Sequence, residues 1–76
     1  MSNSYHYTML IQWSDEDDAY LVSFPEWEGI VFNPITHGDT YGEAVSNGEE
    51  ALEGLIVSLT QHGEPLPERR PVLSAA

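Results

Sequence analysis

From Tyr5 to Trp13 the larger apolar side chains fall on odd positions, Tyr5, Tyr7, Met9, Ile11 and Trp13, with His6, Thr8 and Gln12 between them. A period of two puts one set on one face of an extended chain, so this segment is predicted as a strand with one buried side. Asp15, Glu16, Asp17 and Asp18 follow Ser14 and would repel one another in any regular element, so the chain turns there. Ala19 to Phe24 is predicted as a second strand, with Tyr20, Val22 and Phe24 on one face. The short acidic link favours an antiparallel hairpin, and Pro25 ends the ladder because it has no N–H to donate. Glu26 to Gly29 reads as a turn. The β-branched and aromatic run Ile30-Val31-Phe32 reads as a short third strand, interrupted at Asn33-Pro34 and resuming its pairing over Ile35 to His37.

The period then changes. In Thr40-Tyr41-Gly42-Glu43 the threonine can cap the Glu43 amide while the Glu43 carboxylate reaches back to the Thr40 amide, which starts a helix. Ala44, Val45, Gly48, Ala51, Leu52, Leu55, Ile56 and Leu59 recur at three- and four-residue steps, so an apolar stripe runs from about Tyr41 to His62, with Gly63 as the stop. Glu64 to Glu68 contains two prolines and runs extended, leaving Arg69 to Leu73 for a short last strand. The order strand, strand, strand, helix, strand predicts one α+β domain over residues 1–76, with a long helix covering one face of a small antiparallel sheet. The uncovered face, and aromatics such as Trp27 and Phe32, favour a homodimer or higher homo-oligomer.

Charge and size narrow the function classes. Thirteen acids stand against Arg69 and Arg70 in 76 residues, a formal charge of -11 that repels phosphate backbones and anionic lipid. Without cysteine there is no disulfide framework and no thiolate site, and no apolar stretch is long enough to span a bilayer, so a cytoplasmic protein without direct nucleic-acid or membrane contact is expected.

Metal and catalytic patterns are weak. The 15–18 acid run fails the calcium-loop spacing: counted from Asp15, the sixth position holds Tyr20 where the loop needs Gly and the fifth holds Ala19, with Glu26 at the twelfth. His6, His37 and His62 have no ligand spacing between any pair, and their expected places are structural: the polar side of a strand, the approach to a helix and a helix C-terminus. His37-Gly38-Asp39-Thr40 carries a base and an acid, yet the same residues describe the start of a helix, with Gly38 as a turn residue and Thr40 as the cap. No cofactor or metal and no enzymatic activity are expected. Glu49, Glu50 and Glu53 lie off the apolar stripe at repelling helical spacings with no Lys or Arg between them.

The paired strands, the segment Ala19 to Glu26 with Pro25, Gly29, then Gly38-Asp39-Thr40 leading into Glu43, Ala44 and Asn47, and finally Glu50-Ala51-Leu52, resemble the HicB-like antitoxin family over about Tyr5 to Pro67. The resemblance implies a partial RNase H-like α+β domain that binds and neutralises a small basic HicA-type mRNA-cleaving toxin. It makes Glu43, Glu49, Glu50 and Glu53 the candidate partner-binding residues, since an acidic face associates quickly with a basic protein. Full-length members commonly carry a C-terminal DNA-binding domain, and no such segment follows the last predicted strand. The link from Ile30 to His37 is longer than the family's usual short strand. A solitary HicB-like regulatory module is the second reading and a metal-dependent nuclease a distant third.

Overall fold

The computed structural model describes residues 6–70. Strands β1 (Leu10–Ser14) and β2 (Ala19–Ser23) form the antiparallel hairpin, with Leu10 opposite Ser23, Gln12 opposite Leu21 and Ser14 opposite Ala19. Ser14 closes the acidic turn: its Oγ accepts from the Asp17 amide at 3.1 Å and donates to the Asp17 carboxylate at 2.8 Å. Asp18 takes the left-handed conformation, with φ of 54°, that aspartate tolerates better than most residues.

β3 (Thr36–Gly38) lies antiparallel on the other side of β2, giving the order β1-β2-β3, and α1 (Tyr41–Gln61) packs on one face of the sheet. This is the expected α+β architecture. No helix among the described residues is long and apolar enough to cross a membrane. Of the predicted last strand, Arg69 and Arg70 are in no strand, and positions 71–73 lie outside the described residues, as does Tyr5.

Ile30 to Phe32 do not form the expected third strand. The Ile30 and Val31 amides both donate to the Trp27 carbonyl, at 3.0 and 3.1 Å, so the chain curls back on itself. The backbone groups of Phe24 that an incoming strand would use are taken by a side chain: Asn33 accepts from the Phe24 amide at 3.0 Å and donates to its carbonyl at 3.1 Å. Pairing resumes where the Ile35 amide donates to the Val22 carbonyl at 2.8 Å. On the opposite edge of β2, Pro25 offers no donor, so β1 begins at Leu10 instead of Tyr5.

Val22, Phe24, Trp27, Ala44, Leu52 and Ile56 form the core, and Tyr7, Met9, Ile11, Leu55, Leu59 and Leu66 pack around it. The helix contributes Ala44, Gly48, Leu52 and Ile56, each four residues after the last, while Val45 at the stripe's margin is exposed. Gly48 lets the helix approach the sheet; a Cβ there would stand 2.9 Å from Met9 Cε and 3.1 Å from Val22 Cγ1. Trp27 is fully buried against Tyr7 in an edge-on contact, ring centres 5.5 Å apart, so it needs no second copy to cover it. Trp13 departs from the strand pattern. It is exposed, sits edge-on to Tyr20 and donates to Asp15 at 2.8 Å.

The helix ends as expected. Gly63 has φ of 69°, its amide donates to the Thr60 carbonyl at 3.1 Å, and the Glu64 amide reaches the Leu59 carbonyl at 3.0 Å. These two bonds satisfy carbonyls that the helix itself leaves without donors.

Candidate functional site

Of the residues that carry the family resemblance, Gly38, Asp39, Thr40, Glu43, Ala44 and Asn47 meet at the joint between β3 and α1. Gly38 is buried, and a Cβ on it would lie 2.7 Å from Ala44 Cα, so its absent side chain permits strand and helix to touch. Its φ is not positive, so close approach, not the turn conformation expected from sequence, requires the glycine. Thr40 Oγ1 accepts from the Glu43 amide at 3.0 Å, the predicted cap. The Glu43 carboxylate reaches one residue further back than predicted and accepts from the Asp39 amide at 2.7 Å. Ala44 is fully buried under this joint, and Asn47 donates to the His37 carbonyl at 2.8 Å. Pro25 opens a short 3-10 turn, Pro25–Trp27, and Gly29 adopts φ of 83° just after it.

Of the candidate partner-binding residues, Glu43 is thus engaged at the helix start. Glu49, Glu50 and Glu53 are exposed on α1, away from Leu52 and Ile56, and no hydrogen bond or ion pair holds them among the described residues. The acids of the 15–18 turn are exposed as well, at the far end of the hairpin. Beside that turn Trp13, Tyr20 and Tyr41 make a row of rings, with centres 5.0 Å and then 4.3 Å apart.

One carboxylate that sequence reasoning placed in a plain turn is buried. Glu26 is 8% exposed and accepts from the Thr8 amide at 3.1 Å, the Thr8 hydroxyl at 2.8 Å and the Arg70 amide at 3.0 Å. Burial disfavours its charge, but the Arg70 amide, the Thr8 hydroxyl, and the Glu26 and Thr8 amides more than offset this and hold the carboxyl below its ordinary value. Glu26 therefore ties the segment before β1 to the segment after α1, a link the Tyr7 hydroxyl repeats by donating to the Pro67 carbonyl. A lone Glu beside a Pro-Trp turn has no sequence pattern that announces such a role.

The histidines stay apart. His62 Nδ1 is 2.7 Å from the Ser58 carbonyl at the helix end, His37 is exposed on β3, and His6, with φ of 57°, lies outside the strand predicted for it. Among the described residues no three His, Asp or Glu side chains gather as a metal site would require. The loop between Glu28 and Asn33 bounds a shallow groove of about 340 Å³ and exposes Ile30 and Phe32.

No family model and no solved structure matches the chain. The UPF0150 protein Ta0767 of Thermoplasma acidophilum is 39% identical to it over 61 residues, which span 80% of this chain and 81% of the relative. An aligned stretch of that length takes in most of the sheet, joint and helix just described, and the chain belongs to the UPF0150 family.

Proposed function

We propose that this chain is a HicB-like antitoxin or interaction protein that works in the cytoplasm by binding, not by catalysis, and that masks a small basic protein of the HicA-like ribonuclease class. The observation that carries the reading is the outward row Glu49, Glu50 and Glu53, exposed and without ion pairs among the described residues, in a chain of net charge -11. Like charges three and four residues apart on a helix each cost roughly 0.2–0.5 kcal/mol, and a basic surface laid against them relieves that cost on binding. Membership of UPF0150 supports the reading at the level of the family, and the HicB-like sequence pattern names the partner class. Glu43 contributes to this surface only through the carboxylate oxygen that the Asp39 amide leaves unused.

The test is co-expression with the product of the adjacent reading frame, followed by association kinetics against salt. A steered complex has an on-rate that falls steeply as ionic strength rises, and Glu50→Gln with Glu53→Gln slows it while the melting temperature is unchanged or slightly higher. A salt-independent on-rate, or a double variant that neutralises the partner equally well, moves the interface off the helix. An adjacent frame that encodes no basic protein favours a solitary regulatory module. Magnesium-dependent RNA cleavage that survives repurification would replace both readings with the nuclease.

A further inference from the structure

Asn47 and Gly48 are each fixed by a separate requirement of the fold. The Asn47 carboxamide donates to the His37 carbonyl at 2.8 Å, a tie from α1 to β3 that a carboxylate of the same size could not make. Gly48 is buried against the sheet, and a Cβ on it would stand 2.9 Å from Met9 Cε. Together these requirements set side by side the one asparagine–glycine pair in the sequence. That pair has a chemistry of its own, because a glycine amide, with no Cβ to obstruct it, can attack the side chain of the asparagine before it. The other asparagines are worse placed: Asn33 precedes Pro34, whose nitrogen has no proton to lose, and Asn3 precedes Ser4, whose side chain hinders the attack.

The reaction needs only water. The Gly48 backbone nitrogen bonds to Asn47 Cγ and gives up its proton, the Cγ–Nδ2 bond breaks, and the side-chain nitrogen leaves as ammonia. The five-membered imide then adds one water at either of its carbonyls and reopens as an aspartate or an isoaspartate at position 47. In the folded chain both reacting groups are withheld. The ladder of α1 assigns the Gly48 N–H to the Ala44 carbonyl, and the Asn47 carboxamide is held on His37. Once α1 leaves the sheet and unwinds, neither restraint remains. The product cannot restore the tie: a carboxylate at position 47 only accepts, so it opposes the His37 carbonyl, and it stands at repelling helical spacings from Glu43 and Glu50. The isoaspartate also inserts a methylene into the main chain of the helix.

We infer that Asn47-Gly48 is an ageing site that the fold both requires and guards. It deamidates from the opened chain, and each event removes one molecule from those able to rebuild the β3–α1 joint. The inference stands whether or not a basic partner exists.

Incubation of the parent, Gly54→Ala and Glu26→Gln proteins at mildly alkaline pH, with and without urea, tests it, the conversion being read by peptide mass and isoaspartate content. In urea all three convert at position 47 at one rate. Folded, the parent converts roughly a hundredfold or more slower, in proportion to the opened fraction of so small a domain. Gly54 meets nothing within 4 Å and Glu26 is bonded to Thr8 and Arg70, so both changes act on the pair only through stability. Folded Gly54→Ala should convert about fivefold slower than the parent and folded Glu26→Gln about thirtyfold faster, each by the factor of its own measured opening constant. The product, separated by its added charge, should not regain the parent's melting temperature after urea is removed, whereas parent held in urea at mildly acidic pH, with Asn47 intact, should. A folded parent that converts as fast as the unfolded one overturns the inference. So do folded-state rates that ignore stability, or a product that refolds to the parent's melting temperature.

Discussion

Replacing Glu26 by Gln keeps the size of the side chain and removes only its charge and one acceptor, so it isolates what the buried carboxylate contributes. One of its oxygens receives three donors, the Thr8 amide at 3.2 Å, the Thr8 hydroxyl at 2.8 Å and the Arg70 amide at 3.0 Å. A bond to a charged group contributes about 1.5–3 kcal/mol against about 0.5–1.5 kcal/mol for a neutral one. The Gln oxygen can hold the same donors as neutral bonds, but its amide nitrogen then faces the Thr8 amide, which the second oxygen now accepts at 3.1 Å. Thr8 and Arg70 are exposed, so water recovers part of the loss. The net expectation is ~2 kcal/mol, a large share of what a domain of this size holds. Thermal unfolding should show the variant melting roughly 8–16 °C below the parent at pH 7.

The pH dependence carries the sharper test. The folded carboxyl is held below its ordinary value of 4.5, so its stabilisation is complete above that value and is lost as pH falls through the lower folded one. Taking the difference between the two proteins at each pH isolates the Glu26 contribution. The gap between parent and Glu26→Gln should stay constant from pH 8 to 6 and narrow below about pH 4. A variant within about 0.5 kcal/mol of the parent at pH 7, or a gap that ignores acid, would refute the assignment of Glu26 as the tie between the two ends of the chain.

Two helix-side glycines should respond in opposite directions to alanine. Gly38→Ala drives a Cβ against the Ala44 backbone, which cannot yield as a side chain would, and should cost about 1–3 kcal/mol in urea unfolding. Gly54→Ala meets nothing within 4 Å and should raise stability by ~1 kcal/mol through helix propensity alone. Leu52, 1% exposed, lies at the centre of the helix–sheet contact, so Leu52→Asp should abolish the cooperative melt seen by circular dichroism, and an unchanged transition would place it outside the core.

The helix was legible because three signals agreed on it: the Thr40 cap, the stripe through Leu52 and Ile56, and the Gly63 stop all appear at the predicted residues. The hairpin was legible from its alternation and its acidic turn. The segment Ile30 to Phe32 misled because β propensity describes a fit to a half-buried pleated surface, and here no strand position remained once the Asn33 carboxamide had taken the groups of Phe24. No local rule anticipates a side chain that stands in for a strand. Trp27 and Glu26 were hidden for a related reason. Glu26 to Gly29, four residues with a Gly and two acids just after Pro25, look like an exposed turn, while Glu26 is held by Thr8 and Arg70, 18 and 44 residues away in sequence, and Trp27 packs against Tyr7.

The same contrast separates what holds this protein together from what it presents. Gly38, Thr40, Ala44 and Asn47 are consumed by the strand–helix joint, since each supplies a close contact, a cap or a tie to the His37 carbonyl. A side chain so used has little left to offer a ligand, and changing it alters folding and every activity together. Glu50, Glu53 and Phe32 are the reverse case. The fold leaves these side chains facing outward, so their chemistry is open to a partner: acids on α1, and an apolar ring in the loop that follows Glu28. Salt reads the first of these directly: screening weakens an association that draws a basic protein to the helix. Gly38, Thr40, Ala44 and Asn47 therefore encode a joint, and what the chain can offer a partner lies on faces that the joint does not determine.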